Sequence, residues 1–240
     1  MTSPLGTVPG PDGEPVPVIL RRLRAARRMR LRVDVKGNVV VTAPLRCPVD
    51  SARAFVEGNR TWLAGQLGRR AAVPTLLEHL SRQPTLSGLG HAYALEFRET
   101  IGRPYLLRDD LRRGVLFALP PCPGDAAVAA LCREFAAAVI PLRVRELAQR
   151  TASLVKRVSV RNQASRWGSC SSRGTLSLNW RLVLLTAALH DHVILHELAH
   201  LHELNHSADF WGLLASWDVD TEAHNKALNP LARTLMPLGR

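Results

Sequence analysis

Residues His192–Trp211 read HVILHELAHLHELNHSADFW, and the spacing of the histidines decides which fold surrounds them. Six of the nine histidines in the 240-residue chain lie between His190 and His206, so the first question is which of them converge. His196 and His200 are four residues apart, which on a helix of 3.6 residues per turn sets them about 40° apart around the axis. Both rings can therefore reach one cation. Glu197 projects about 60° from His200 on the same broad side, the place for a carboxylate that takes a proton from water without binding the metal itself.

His206 follows His200 after five residues and offers a third nitrogen. Three protein nitrogens leave one coordination position open, which suits a catalytic zinc ion rather than a closed structural one. The helix must end or turn after about Glu203 for this to work, because a continued helix would carry His206 some 15 Å along the axis from His196. Asn205 tolerates the turn, and Ser207 is an N-cap for a following helix through Phe210, Leu213 and Leu214. The other histidines read differently. His192 falls on the same side as His196 and suits a hydrogen bond or a substrate contact, His202 diverges, and His190 and His224 show no convergence. Glu203, two turns after His196, is placed to accept a ligand imidazole proton.

The rest of the chain sets bounds on this reading. With 46% hydrophobic and 22% charged residues it is a folding chain rather than a disordered one. Its formal charge is +12, and arginine supplies all but three of the 32 basic residues. Arginine excess fits solvated faces, and it also fits phosphate or carboxylate recognition, which keeps nucleotide and nucleic-acid partners in view. Cys47, Cys122, Cys132 and Cys170 form no CxxC pair, which argues against a thiolate cluster or a disulfide framework and for a reducing, cytoplasmic setting. No stretch approaches the ~18 apolar residues of a membrane span.

Along the chain, residues 1–16 read as a flexible leader because Pro and Gly recur without an apolar partner set. Residues 17–124 read as a β-rich region with one helix. It holds a hairpin turning at Lys36-Gly37-Asn38, a helix from Pro48 anchored by Trp62, and strands around Leu95 and Leu116. Residues 125–240 read as the catalytic region. A long helix from Asp125 to Arg150 is bent or split at Pro141, strands follow at SLVKRVSVR and TLSLNWRLVLL, and a second helix begins near Ala187. No internal repeat is evident.

Between the last two strands lies SRWGSCSSRG. Arg166 suits an oxyanion or a substrate carboxylate, Trp167 suits a cleft wall or the core, and Cys170 suits a small buried thiol better than a nucleophile or ligand. Together, RWGSCSSRGTLSLNWRL from Arg166 and HVILHELAHLHELNHSADFW resemble the YgjP-like metallopeptidase family, related in its catalytic helix to SprT-like and other zincin metallopeptidases. The resemblance implies an α+β fold with a zincin-like core, an HExxH helix beside a small sheet, and a sheet-rich N-terminal region. It implies one catalytic Zn2+ on His196, His200 and His206, with Glu197 as general base, acting on a peptide or protein. A strand from Leu176 to Leu184 offers an edge on which a peptide aligns. Two alternatives fit the basic composition: a nucleotide or phosphoanhydride hydrolase, and a nucleic-acid-associated protein with a structural or protein-cleaving metal site.

Overall fold

The computed structural model describes residues 2–11, 13–34, 37–71 and 74–239. It has an α+β architecture with mixed sheets, and it divides into two compact units, one ending at Pro74 and one running Thr75–Gly239.

The first unit contains β1 (Thr2–Pro9), β2 (Pro15–Leu23), β3 (Arg30–Val33), β4 (Val39–Pro44), α1 (Val49–Glu57) and α2 (Arg60–Ala71). The strands form one sheet in the order β1-β2-β4-β3, with β2 and β4 parallel and the outer pairs antiparallel. Period-two alternation turns Val18, Leu20, Val39, Val41 and Ala43 to one face, where Ala52 and Val56 of α1 and Leu63 and Leu67 of α2 complete the core. The expected leader is largely strand: Thr2–Pro9 pairs with β2 from Thr2↔Arg21 to Pro9↔Pro15. Pro4 and Pro9 are tolerated there because β1 is an edge strand, where a missing N–H breaks no central ladder. The hairpin joining β3 to β4 is present, although Lys36 lies outside the described residues. The single helix expected after Pro48 is broken at Gly58 and Asn59 into α1 and α2, and Trp62 is 43% exposed while Leu63 takes the core position.

The second unit begins with α3 (Leu76–Arg82), β5 (Thr85–Gly88), β6 (His91–Glu99), β7 (Tyr105–Asp109), β8 (Gly114–Leu119) and α4 (Asp125–Arg150). Its first sheet has the order β5-β6-β8-β7, again with the central pair parallel and the outer pairs antiparallel. Strand order and pairing sense thus repeat those of the first unit, and Cys-Pro-x-Asp leads into the following helix both times, at Cys47–Asp50 and Cys122–Asp125. The repeat unseen in the sequence is a repeat of pairing. The second sheet shares one core with α4, through Tyr93, Leu95, Phe117, Phe135 and Val139, so the unit boundary falls at Pro74 and not near residue 124. Helix α4 runs unbroken through Pro141 rather than splitting, since packing on Val139, Ile140 and Val144 outweighs one lost backbone hydrogen bond.

The remaining elements are β9 (Arg157–Arg161), β10 (Gly168–Cys170), β11 (Thr175–Asn179), a 3-10 turn (Trp180–Leu184), α5 (Ala187–Ala199), α6 (Ala208–Trp217) and α7 (Thr221–Leu235). The three strands order as β10-β11-β9. The strand expected through Leu184 stops at Asn179, whose side chain accepts from Arg181 N and starts the 3-10 turn. Because β11 is central, it presents no free edge to a peptide; the edges are β10 and β9. Arg143 of α4 makes a two-pronged contact with Asp191 and anchors α5.

Candidate metal centre

Helix α5 starts at Thr186, whose hydroxyl accepts from Leu189 N, and it is buried on most of its circumference. It ends at Ala199 with His200 as its C-cap, earlier than the spacing had suggested. A tight turn follows, with Leu201 N donating to Leu198 O and both His202 N and Glu203 N donating to Ala199 O. Asn205 Oδ1 accepts from Ser207 N, and the Ser207 hydroxyl caps α6 by accepting from Phe210 N. The reversal returns His206 to α5.

His206 Nε2 lies 3.1 Å from His196 Nε2, and nitrogens of His196, His200 and His206 all fall within 4.8 Å of one another. Phe210 packs on all three rings at 4.7 to 5.0 Å between centroids, and Trp211 stacks on His206. His200 Nδ1 donates to the Glu203 carbonyl at 3.1 Å, which leaves Nε2 as the lone-pair nitrogen. Glu203 thus meets the ring through its backbone and not through its carboxylate. Burial, then the neighbouring His200, His206 and His192, hold the His196 pKa down to about 3; burial and His206 lower that of His200 against the pull of the Glu203 carbonyl. Two neutral imidazoles at this distance either share a ring proton or turn their lone pairs onto one cation. The donor set fits a metal ion.

Glu197 is 6% exposed and lies against Gly168 of β10. A Cβ added at Gly168 would stand 2.5 Å from Glu197 Oε1, so only glycine leaves room for the carboxylate. Its Oε2 is buried without a hydrogen-bond partner among the described residues. Burial pushes the Glu197 pKa up to about 7, and the charge of Arg166 opposes that rise. Such a carboxyl takes up and releases a proton near neutrality.

A model of the YgjP-like metallopeptidase domain matches residues 27–230. The chain belongs to that family. Neither a curated protein nor a solved structure gives a match. As a YgjP-like chain it is a metal-dependent hydrolase of the zinc metallopeptidase type, with side-chain clusters able to hold a metal ion.

Other residues of this YgjP-like site sort by geometry. The exposed side chain of Arg166 acts on Glu197 through its charge, while its carbonyl accepts from Asn179 Nδ2. Trp167 packs against the core, with its indole N–H buried and unpaired among the described residues. Burial and then the Glu197 charge push the Cys170 thiol up to about 11, so it stays protonated and a poor nucleophile. His202 turns away to Ser153 Oγ and the Trp217 ring.

His192 belongs to a second cluster. Its Nδ1 and that of His224 both meet Asp218 Oδ2, the latter at 2.8 Å, and its Nε2 lies 3.3 Å from Asn225 Oδ1. Spacing could not find this group, since Asp218 is 26 residues beyond His192. Gly168 also escaped, because nothing local marks its contact with Glu197. Phe210 was legible only as a core residue, although its position four after His206 on the strand of sequence entering α6 was the available signal.

Proposed function

We propose that the chain is a zincin-like peptidase with one catalytic zinc ion on His196, His200 and His206. The observation that carries this reading is the approach of His196 and His206 nitrogens to 3.1 Å with no acid between them, beside a buried carboxylate with a free oxygen. Zinc, when bound, supplies Lewis acidity toward the scissile carbonyl and toward water. Glu197 then accepts the proton of the attacking water and returns it to the leaving amine, a role its raised pKa favours. Arg166 steadies the charge that develops on the carbonyl oxygen. Strand addition, if the substrate is extended, falls to the edge strand β10, which carries Gly168 beside Glu197. No helix among the described residues is long and apolar enough to cross a membrane, and four unpaired cysteines suit a cytoplasmic setting.

The test is a screen of zinc-loaded protein on peptide libraries and on nucleoside triphosphates, with Glu197→Gln as the matched control. The wild type should cleave peptides, and Glu197→Gln should keep one zinc per chain while losing on the order of 10³-fold in rate. Cleavage confined to triphosphates would replace the peptidase with the phosphoanhydride hydrolase. A wild type that matches Glu197→Gln on both classes would end the catalytic reading.

A further inference from the structure

The repeated sheet supplies an internal control for the arginines. In the first unit, the face opposite the core carries Ile19 and Arg21 of β2, Val40 and Thr42 of β4, and Arg30 and Arg32 of β3. Arg21 and Arg30 both register against Thr42, so the two guanidinium-bearing positions are one strand apart on the same level, about 10 Å across the sheet. At the corresponding positions of the second sheet, Arg98 and Tyr105 register against Ala118, and Glu96 and Leu107 against Leu116. The same scaffold is therefore built with one arginine and one glutamate. Pairing and core packing do not require the arginines of the first sheet.

The connection from β2 to β3 adds Arg24, Arg27 and Arg28, where the connection from β6 to β7 has only Arg103. Arg27, Arg28 and Arg30 line a cavity of about 550 Å³ with Leu23, Ala25, Ala26 and Thr42. Arg21, Arg24, Arg27, Arg28, Arg30 and Arg32 are exposed, and none has an ion pair among the described residues. Residues 1–74 hold 13 basic against 5 acidic side chains, so this stretch alone has a formal charge of +8 of the chain's +12. Clustered like charges without counter-charges raise the energy of the folded unit, and an anion that binds them relieves that repulsion.

We propose that this face and its β2–β3 loop bind the phosphodiester backbone of a nucleic acid without reading its bases. Guanidinium forks match phosphate oxygens in pairs. The two aromatic residues of the unit, Phe55 and Trp62, lie on α1 and α2 and not on this face, so no platform for base stacking is present there. Ile19 and Val40 are not exposed, and the face thus lacks the apolar centre that a protein partner would use. Binding depends on charge and on fork geometry, and is independent of sequence. It is also independent of the peptidase reading, since peptide cleavage can fail with this binding intact.

The experiment is fluorescence anisotropy of labelled 20-mers (duplex DNA, single-stranded DNA and duplex RNA) with the full chain between 50 and 200 mM salt. All three should bind, scrambled sequences equally, with affinity falling linearly on a log–log plot. The Arg27→Ala/Arg28→Ala/Arg30→Ala triple variant should bind at least tenfold more weakly at 50 mM salt. Its slope should be shallower by about 2 to 3, the loss of three phosphate contacts. An Arg21→Ala/Arg32→Ala variant should flatten the slope by about 1.5 to 2 through the sheet face alone, and Arg98→Ala in the second sheet should leave it unchanged. Absence of wild-type binding at 50 mM salt overturns the proposal, as do first-sheet variants with wild-type affinity and slope. Displacement by poly-glutamate as effective as by nucleic acid of equal charge would instead assign the face to acidic polypeptides.

Discussion

Two histidine clusters rise from α5 one turn apart, and they solve opposite problems. At His196, His200 and His206, three imidazoles converge with no acid among them, and two ring nitrogens meet at 3.1 Å. At His192 and His224, two imidazoles converge on Asp218 Oδ2, where each ring N–H finds an acceptor. The second point of convergence is closed by hydrogen bonds to a carboxylate. The first brings together three ring nitrogens and no carboxylate, a donor set that fits a cation. Convergence of histidines is thus a poor guide to a metal until the hydrogen bonds at the meeting point are counted.

The contrast breaks or holds on a crossed pair of variants. His206→Ala should weaken zinc affinity by more than about 100-fold, beyond the range for outer partners of a ligand, with little change in the stability of the metal-free chain. Asp218→Ala should keep close to one zinc per chain, yet lose about 2 to 3 kcal/mol of unfolding free energy because the buried His192 ring and the half-buried His224 ring are left without their acceptor. Metal analysis after dialysis and urea titration of the apo forms read the two effects. Zinc lost from Asp218→Ala and retained by His206→Ala would reverse the assignment of the clusters.

A smaller effect tests the wall of the first cluster. Gly168→Ala drives a methyl group to within 2.5 Å of Glu197 Oε1 and must displace that carboxylate. Turnover should fall roughly 100-fold with zinc content unchanged, the cost of a base moved by about 1 Å. Wild-type kcat in this variant would show that the Glu197 position is not critical.

Smallest is the acid response of the second cluster. Burial raises the Asp218 pKa, but hydrogen bonds from His224 and His192 and their charges outweigh it, so the carboxyl titrates below its ordinary value. Asp191 behaves likewise, with burial opposed by Arg143 and His190. A carboxyl depressed in the folded state stabilises the fold above its unfolded pKa of about 3.9, and that stabilisation disappears as pH falls through the lower folded value. Stability measured by urea unfolding should therefore drop more steeply below about pH 4 in the wild type than in Asp218→Asn. Parallel curves for the two proteins would deny Asp218 its role as the acceptor of both rings.

Several of these features were legible before any coordinates. The His196–Glu197–His200 register needs only helical periodicity, and the Ser207 cap of α6 needs only a side chain that competes for its own backbone. The Asp125–Arg150 helix was also visible in its apolar spacing, but its continuity through Pro141 was not, because that depends on what packs on both sides. The Thr2–Pro9 strand was hidden by its own composition: Pro and Gly mark loops unless the strand is an edge. Trp62 and Leu63 are adjacent, and only the packing of α2 decides which one faces the core.

The sequence by itself determined which imidazoles share a helix face, the carboxylate beside them and the arginine excess, because local periodicity and composition are properties of neighbours along the chain. Tertiary structure alone decided that Gly168 bounds Glu197, that Asp218 sits between His192 and His224, and that β11 is a central strand. It also decided that the two sheets repeat one pairing pattern while only the first carries an arginine face. Each of those facts is a meeting of residues far apart in sequence, and no local signal encodes such a meeting.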